Sequence, residues 1–160
     1  MMRCLVALAG VWMSAAPGWS QEGSGVAAGD AIAARQASLD MSSITFHSMG
    51  EAMKAGREAK SQGYPAAALA KWAKALPRMF PAGSGVGETP VTTQARLVIW
   101  QDRAGFDRAA AHYAEATARL AALAAANDTA GFTKQLDEVD HACSACHARY
   151  KSGDQGPPKK

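Results

Sequence analysis

The sequence predicts an all-α protein folded as an antiparallel four-helix bundle. Four stretches carry apolar residues at the three- and four-residue spacing of amphipathic helices. One long connection rich in glycine, proline and threonine follows the second stretch, and no two segments have the pattern of paired strands. With 160 residues, 48% of them hydrophobic and 19% charged, the chain is expected to form one folded domain.

The first helix is predicted from Asp30 to about Lys54, because this stretch lacks proline and contains no glycine before Gly50. Asp30 suits the N-cap position, where its side chain would accept a hydrogen bond from the first turn. Residues at steps of three and four form one mostly apolar face that also contains an arginine and a serine. They are Ile32, Arg35, Leu39, Ser42, Phe46, Met49 and Met53.

The second helix is predicted to begin at Pro65, which suits the first position of a helix. Residues 80–94 follow as one long loop. The short apolar run at 97–100 has no second strand to pair with, so we expect Trp100 to pack where the loop rejoins the bundle. The buried side of the second helix is marked by Leu69, Trp72, Leu76 and Phe80.

The third and fourth helices are predicted at about 103–126 and 130–151, and residues 127–129 end one and cap the next. Both carry apolar stripes with steps of four and three residues. In the fourth helix this stripe includes two cysteines, so both thiols should face the interior of the bundle. The stripes are Phe106, Ala110, Tyr113, Thr117, Leu120 and Ala124, and then Phe132, Leu136, Val139, Cys143, Cys146 and Tyr150.

The segment Cys143-Ser144-Ala145-Cys146-His147 has the Cys-x-x-Cys-His pattern of c-type haem attachment. Two thiols three residues apart lie on one face of a helix, where they can form thioether bonds with the two vinyl groups of one haem. The imidazole of His147 would then serve as an axial ligand of the iron. We therefore predict one covalent haem c, attached through Cys143 and Cys146 near the C-terminal helix.

Two other interpretations of the cysteine pair are weaker. A thioredoxin-like redox pair would require a βαβ setting, which the sequence does not show. A structural zinc site would require about four Cys or His ligands, but no second cysteine pair is present, and His47 and His112 lie far apart in the sequence.

The N-terminus has the features of a secretory signal peptide at residues 1–20, followed by one domain at 21–160. Arg3 precedes an apolar run from Cys4 to Ala16, and small residues precede an expected cleavage before Gln21. The run is too short to span a bilayer, so we expect a periplasmic protein without stable membrane insertion. The net charge is only +3, and no basic patch indicates nucleic-acid binding.

A haem motif at the end of a four-helix bundle resembles the cytochrome c′ family. Its first-helix motif is similar to Arg35-Gln36-Ala37-Ser38-Leu39, and its middle is similar to residues 80–85, Ile99-Trp100 and Phe106. The resemblance implies that Arg35 and Gln36 approach the haem propionates and that Ser84 touches the haem edge. The family usually has arginine four residues after the histidine, whereas this chain has Lys151, which lacks a planar guanidinium.

The resemblance places Leu39 on the distal side of the iron, where low-spin relatives have a methionine ligand. Leucine cannot bind a metal. Met41 lies about 200° around the helix from Leu39, and Met49 lies about 15 Å along it. His47 lies about 12 Å along the axis and is turned by about 80°. The sequence therefore predicts a five-coordinate, high-spin iron with an apolar distal wall.

The resemblance implies that such an iron binds nitric oxide and, more weakly, carbon monoxide, and that it transfers single electrons to an unidentified redox partner. The alternative is a low-spin, six-coordinate electron carrier of the same fold. An enzyme such as a peroxidase would need a distal acid or base, and only His47 and His112 are candidates, so no catalytic residue is predicted. The resemblance also makes a homodimer through the first two helices possible.

Overall fold

The computed structural model describes residues 24–153, and this part of the chain is helical, with one isolated bridge between Ala95 and Lys151. The predicted signal peptide lies outside the described residues. Within these described residues there are five α-helices: α1 Ser24–Lys54, α2 Gly63–Ala75, α3 Val98–Gln101, α4 Arg103–Ala125 and α5 Thr129–Tyr150. Two 3₁₀ turns, Ala59–Gln62 and Leu76–Met79, flank α2.

The four long helices form the predicted antiparallel bundle, so the fold class is confirmed. Helix α4 packs most extensively, against α2 and α5, and α1 also contacts both of these helices. The core contains the predicted stripes of α4 and α5 down to the level of the cysteines, with Phe106, Leu120, Phe132 and Val139 almost completely buried. None of the helices within residues 24–153 is long and apolar enough to cross a membrane.

The predicted start of the first helix was wrong. Helix α1 begins at Ser24, and Asp30 is an exposed residue within the helix instead of its N-cap. The earlier turns are supported by tertiary contacts, because Ala28 is buried and Gly29 lies close to Val91 of the long loop. This support comes from a segment sixty residues away, so the local sequence did not reveal it.

The second helix also differs from the prediction at both ends. It begins at Gly63, so Pro65 is its third residue, which is tolerated because the first N–H groups of a helix have no intrahelical acceptor. The α-helix ends at Ala75 and tightens into a 3₁₀ turn that contains Pro77. Phe80 follows this turn as the first residue of the long loop, and its side chain lies in the core.

Aspartate caps start both C-terminal helices. The Asp102 carboxylate accepts a hydrogen bond from the Gly105 N–H at 3.1 Å, and Asp128 accepts one from the Gly131 N–H at 2.9 Å. A Cβ at Gly105 would meet the Asp102 carboxylate, so this carboxylate would have to shift if Gly105 were replaced. The predicted cap before the fourth helix is thus present, and the bounds of α4 and α5 lie within one residue of those predicted.

Residues 80–94 form the predicted long loop, and the apolar run after it is the short helix α3. The Trp100 indole N–H donates to the Phe80 carbonyl at 3.3 Å. Arg103 donates to the same carbonyl and to that of Pro77. Hydrogen bonds therefore join the two ends of the loop near the N-terminal end of α4, where we expected Trp100 to pack.

Candidate haem-binding site

A cavity of about 340 Å³ lies between α1, α4 and α5 and contains the predicted attachment residues. Cys143, Cys146 and His147 form part of its wall on α5, and Leu39 lines it from α1. Apolar groups make up much of the remaining lining, including Phe46, Leu76, Ala110, Tyr113, Val139 and Ala142. The cavity therefore suits a flat apolar group held by two thioether bonds on one side.

The position of the two thiols follows from the packing of α5. Phe132 and Val139 are fully buried on the same stripe, and this fixes the rotation of the helix about its axis. Cys143 and Cys146 continue the stripe, but they are only half-buried because the cavity replaces packed side chains at their level. Both are free thiols.

The environment keeps the two thiols protonated. Burial, Asp140 and Cys146 together raise the pKa of the Cys143 thiol to about 11. Burial also raises the pKa of Cys146. Because the thiolate is the form of cysteine that is oxidised most readily and that binds metals, this environment does not favour a redox cycle.

His147 is exposed as a residue but borders the cavity. Burial lowers the pKa of its imidazole, and the nearby Lys151 ammonium lowers it further. Both effects favour the neutral imidazole, which has the lone pair that an iron ligand needs. Lys151 also lines the cavity, so the lysine that departs from the family pattern lies close to His147.

The α1 wall of the cavity extends over more than two helical turns, from Leu39 to His47. Met41 is 63% exposed, whereas Met49 is completely buried in the core, so the structure supports the prediction that neither methionine faces the site. His47, by contrast, lines the cavity although its helical angle suggested otherwise. The cavity is wide enough to include a side chain turned by about 80° from Leu39.

Tyr113 is a cavity residue that sequence analysis assigned only to the core. It is buried on α4, and burial together with the neighbouring Cys143 raises its pKa above the ordinary value. The apolar stripe of the third helix indicated that Tyr113 is buried. Nothing in the local sequence indicated that it lies beside a cysteine.

Arg35 is buried, with only 2% of its surface exposed, and it holds the long loop against α1. Its Nη1 donates to the Met79 carbonyl and to Ser84 Oγ, and its Nη2 donates to the Ser84 carbonyl and to Thr93 Oγ1, all within 2.8–3.2 Å. The guanidinium also lies over the Phe80 ring, 4.4 Å from its centroid. None of these hydrogen-bond partners is a carboxylate, so the positive charge is not neutralised by them.

Ser84 is fully buried at this junction and does not reach the cavity around the cysteines. Its hydroxyl donates to the Pro81 carbonyl at 2.8 Å and accepts from Arg35 at 3.0 Å. The structure therefore places Ser84 inside the loop junction, where it has no free surface for a haem edge. Sequence similarity of the loop could not show this, because the contact depends on a residue 49 positions away.

A second cavity of about 350 Å³ adjoins the first and shares Leu39, Asp40 and Lys151 with it. Arg35 and Gln36 line this second cavity. The exposed Gln36 donates from Nε2 to the Thr92 carbonyl at 3.0 Å. Both residues predicted to approach the propionates are thus beside the candidate site, on its loop side.

The fold and the site together define a c-type cytochrome built on a four-helix bundle. Residues 30–151 match the family model described as cytochrome c′, and the chain therefore belongs to the cytochrome c′ family. This confirms the resemblance predicted from the sequence. Haem c is the covalent cofactor of this family, and Cys143 and Cys146 are the cysteines that the chain carries near its C-terminus.

Three relatives illustrate the similarity. Cytochrome c′ of Rubrivivax gelatinosus is 30% identical over 126 residues, covering 77% of this chain and 95% of that protein. Its crystal structure has a TM-score of 0.70 at 27% identity and covers 78% of this chain and 97% of that chain. Cytochrome c′ of Rhodospirillum rubrum is 32% identical over 88 residues, 54% of this chain and 57% of that protein, so the match spans little more than half of that relative.

The third is a ferrous arginine-to-lysine variant of cytochrome c prime from Alcaligenes xylosoxidans, solved with bound NO. It has a TM-score of 0.70 at 25% identity and covers 79% of this chain and 97% of that chain.

We predict that Arg35→Leu lowers the free energy of unfolding by roughly 2–4 kcal/mol, because it leaves buried acceptors of the loop without a donor. The loop at 80–94 should also become more sensitive to limited proteolysis. Gln36→Leu is the matched control, since it removes one exposed hydrogen bond and should change stability by less than about 0.5 kcal/mol. Denaturant titration of both holoproteins measures the difference, and equal effects would contradict the role of Arg35.

Proposed function

We propose that this protein carries one haem c in the α1/α4/α5 cavity and uses it to bind NO or CO and to transfer single electrons. The observation that carries the proposal is that Cys143, Cys146, His147 and Leu39 line one mainly apolar cavity. When bound, the haem supplies an iron centre that exchanges one electron and accepts a diatomic ligand. The proposal includes no catalysed reaction and no catalytic residue.

Each residue of the cavity has a separate role in this proposal. The Cys143 and Cys146 thiols form the thioether bonds, and the neutral imidazole of His147 is the proximal ligand. Arg35 and Gln36 lie beside the haem propionates, and the buried Arg35 charge, which lacks a carboxylate partner among its hydrogen bonds, favours an anionic neighbour. Ser84 supports the haem only indirectly, by holding Arg35.

Leu39 controls the distal side. It cannot coordinate iron or donate a hydrogen bond, so the iron remains five-coordinate, and bound O₂ would receive no stabilising donor from it. NO bonds to haem iron without such a donor. The NO-bound relative from Alcaligenes xylosoxidans supports this assignment of the ligand.

The second candidate is a low-spin, six-coordinate electron carrier, and one observation favours it. His47 lines the same cavity as His147 and could supply a second imidazole. Against this, His47 is exposed and lies about 12 Å along α1 from Leu39. If this candidate is right, the wild-type protein is low-spin and His47→Ala makes it high-spin.

A homodimer is also proposed, formed through α1 and α2. Met41, Ile44 and Tyr64 are exposed by 60% or more on these helices. A shallow groove between the helices includes Trp72, whose buried Nε1 has no acceptor within the described residues. Sedimentation velocity of the holoprotein measures whether two copies associate.

The direct test of the proposed function is the absorption spectrum of the ferric and ferrous protein with and without NO. A high-spin ferric spectrum and a new ferrous species with NO would support it. A low-spin spectrum in both oxidation states, unchanged by NO, would favour the second candidate. An absence of covalent haem after periplasmic expression would exclude both.

Replacing Cys143 and Cys146 together with Ser should abolish covalent attachment, because no other described cysteine faces the cavity. Acid-acetone extraction measures covalent attachment: it should remove the haem from the double variant and leave the haem on the wild-type protein. His147→Ala is the matched control within the same helix. It should retain covalent haem but change the ferric spectrum, and haem still attached in the double cysteine variant would disprove the assignment.

Leu39→Ala should speed CO binding to the ferrous protein, because it removes bulk from the distal side. Replacing a buried leucine with alanine lowers the free energy of unfolding by roughly 2–5 kcal/mol. The loss for Leu39→Ala should be near the lower end of this range, because Leu39 is only half-buried. Leu69→Ala in the core of α2 controls for stability loss and should leave CO kinetics unchanged. Leu39→Met offers a thioether and should shift the iron toward six-coordinate low-spin.

Stopped-flow CO binding and ferrous absorption spectra report both Leu39 variants. Unchanged kinetics in Leu39→Ala, together with an unchanged spin state in Leu39→Met, would remove Leu39 from the distal side.

We further propose that the protein is periplasmic and that its signal peptide is cleaved before Gln21. Expression of the full chain in a bacterium with the haem-attachment machinery should yield a periplasmic holoprotein. Its intact mass should correspond to a chain that begins at Gln21. Arg3→Glu should slow export, because the positive charge before the apolar run directs translocation. A holoprotein mass that retains residues 1–20 would contradict the proposal.

A further inference from the structure

A second, open groove of about 340 Å³ lies between α4 and α5 and also reaches the haem-attachment segment. It shares Ala142 and Cys146 with the haem cavity. Cys146 therefore borders the cavity and an external groove at once. If the thioether forms at this sulfur, the groove would be one place where the protein surface lies close to the haem attachment.

The groove is positively charged. Arg108 and Arg149 line it, together with a single carboxylate, Asp102. Asp102 is already engaged, because it accepts hydrogen bonds from the Arg149 guanidinium at 2.7 Å, the Tyr150 hydroxyl at 3.3 Å and the Gly105 N–H at 3.1 Å. These interactions and the nearby Arg108 hold the pKa of Asp102 below its ordinary value.

Arg108 is exposed and forms no hydrogen bond or ion pair within residues 24–153, so its charge is available to a partner. A further cation extends the positive region, because the exposed Arg96 donates to the Arg149 carbonyl at 3.0 Å. The chain as a whole has a net charge of only +3. This cluster is therefore a local feature of the end of α5 and does not simply reflect a basic protein.

Small residues form the floor of the groove. Gly105 and Ala109 on α4 and Ala142 and Ala145 on α5 line the groove beside Cys146, and the larger His112 and Tyr150 complete its lining. Electron transfer between proteins slows steeply with the distance between the two redox centres. A floor of this kind shortens that distance for a partner that docks here.

We propose that the α4/α5 groove is the docking surface for a redox protein with an acidic face, and that the electron passes through the Cys146 thioether. In the step, the ferrous protein loses one electron and becomes ferric, and the partner centre gains that electron with no proton transfer. The groove is open and its arginines are exposed, which suits the carboxylates of a protein surface. This inference rests on the proposed one-electron function.

The first test maps the surface with hexacyanochromate(III), a paramagnetic anion that does not exchange electrons under these conditions. NMR spectra of the ferrous CO complex, which is diamagnetic, should show line broadening concentrated at the Gly105, Arg108 and Ala109 amides. Arg108→Glu should remove this broadening. Arg119→Glu is the matched control, because Arg119 is an exposed arginine on the same helix that lines a different groove.

The second test measures oxidation of the ferrous protein by plant plastocyanin, an acidic copper protein that accepts one electron. Arg108→Glu should slow this reaction about tenfold at low ionic strength, and the difference should shrink as salt screens the charges. Arg119→Glu should slow it much less. Oxidation by the cationic tris(phenanthroline)cobalt(III) should not be slowed by either substitution.

The two tests distinguish a failure of the docking proposal from a failure of the proposed electron-transfer function. Broadening at the groove without an Arg108-specific effect on plastocyanin oxidation would mean that the groove binds small anions only, which overturns the docking proposal. Equal slowing by both substitutions would indicate general electrostatics and would also overturn it. If the wild-type protein cannot be reduced and reoxidised at all, the proposed electron-transfer function itself fails, and absorption spectra detect that independently.

Discussion

The rotation of α5 about its own axis is the constraint on which the rest of the structure depends. Phe132 and Val139 have no exposed surface, so the helix cannot turn without removing both side chains from the core. Because Cys143 and Cys146 occupy the same stripe one and two turns further on, their thiols must face the interior of the bundle. A haem attached there lies between helices and not on the protein surface.

The opposite side of the site depends on a polar interaction. Arg35 carries a positive charge into the interior and supplies four hydrogen bonds to the turn before the long loop and to the loop itself. The loop also forms hydrogen bonds of its own, such as that from Ser84 Oγ to the Pro81 carbonyl, and Arg35 ties this loop to α1. Leu39 is one helical turn from Arg35, and the same helix therefore positions both the loop junction and the Leu39 side of the cavity.

Helix α5 thus presents Cys146 to two environments with different chemistry. On the cavity side the surroundings are mainly apolar, which raises the thiol pKa and suits a covalently held, apolar cofactor. On the α4 side the surroundings are open and basic, because Asp102 is shared among Arg149, Tyr150 and Gly105, and Arg108 forms no hydrogen bond or ion pair within residues 24–153. In the proposed function, an apolar cavity side and a charged surface side would let gas binding and partner recognition use separate parts of one short segment.

The sequence by itself determined the fold class, the approximate bounds of the long helices and the attachment segment. Each of these depends on local information: helical periodicity, capping residues such as Asp128, and the Cys143–His147 motif. Where the sequence-based predictions differed from the structure, distant segments meet. The start of α1 at Ser24 is supported by Val91, Ser84 is enclosed by Arg35, and His47 lines a cavity whose width depends on α4 and α5. Only the tertiary structure decided these points, because periodicity shows which face of a helix is buried but not which residues from elsewhere in the chain lie against it.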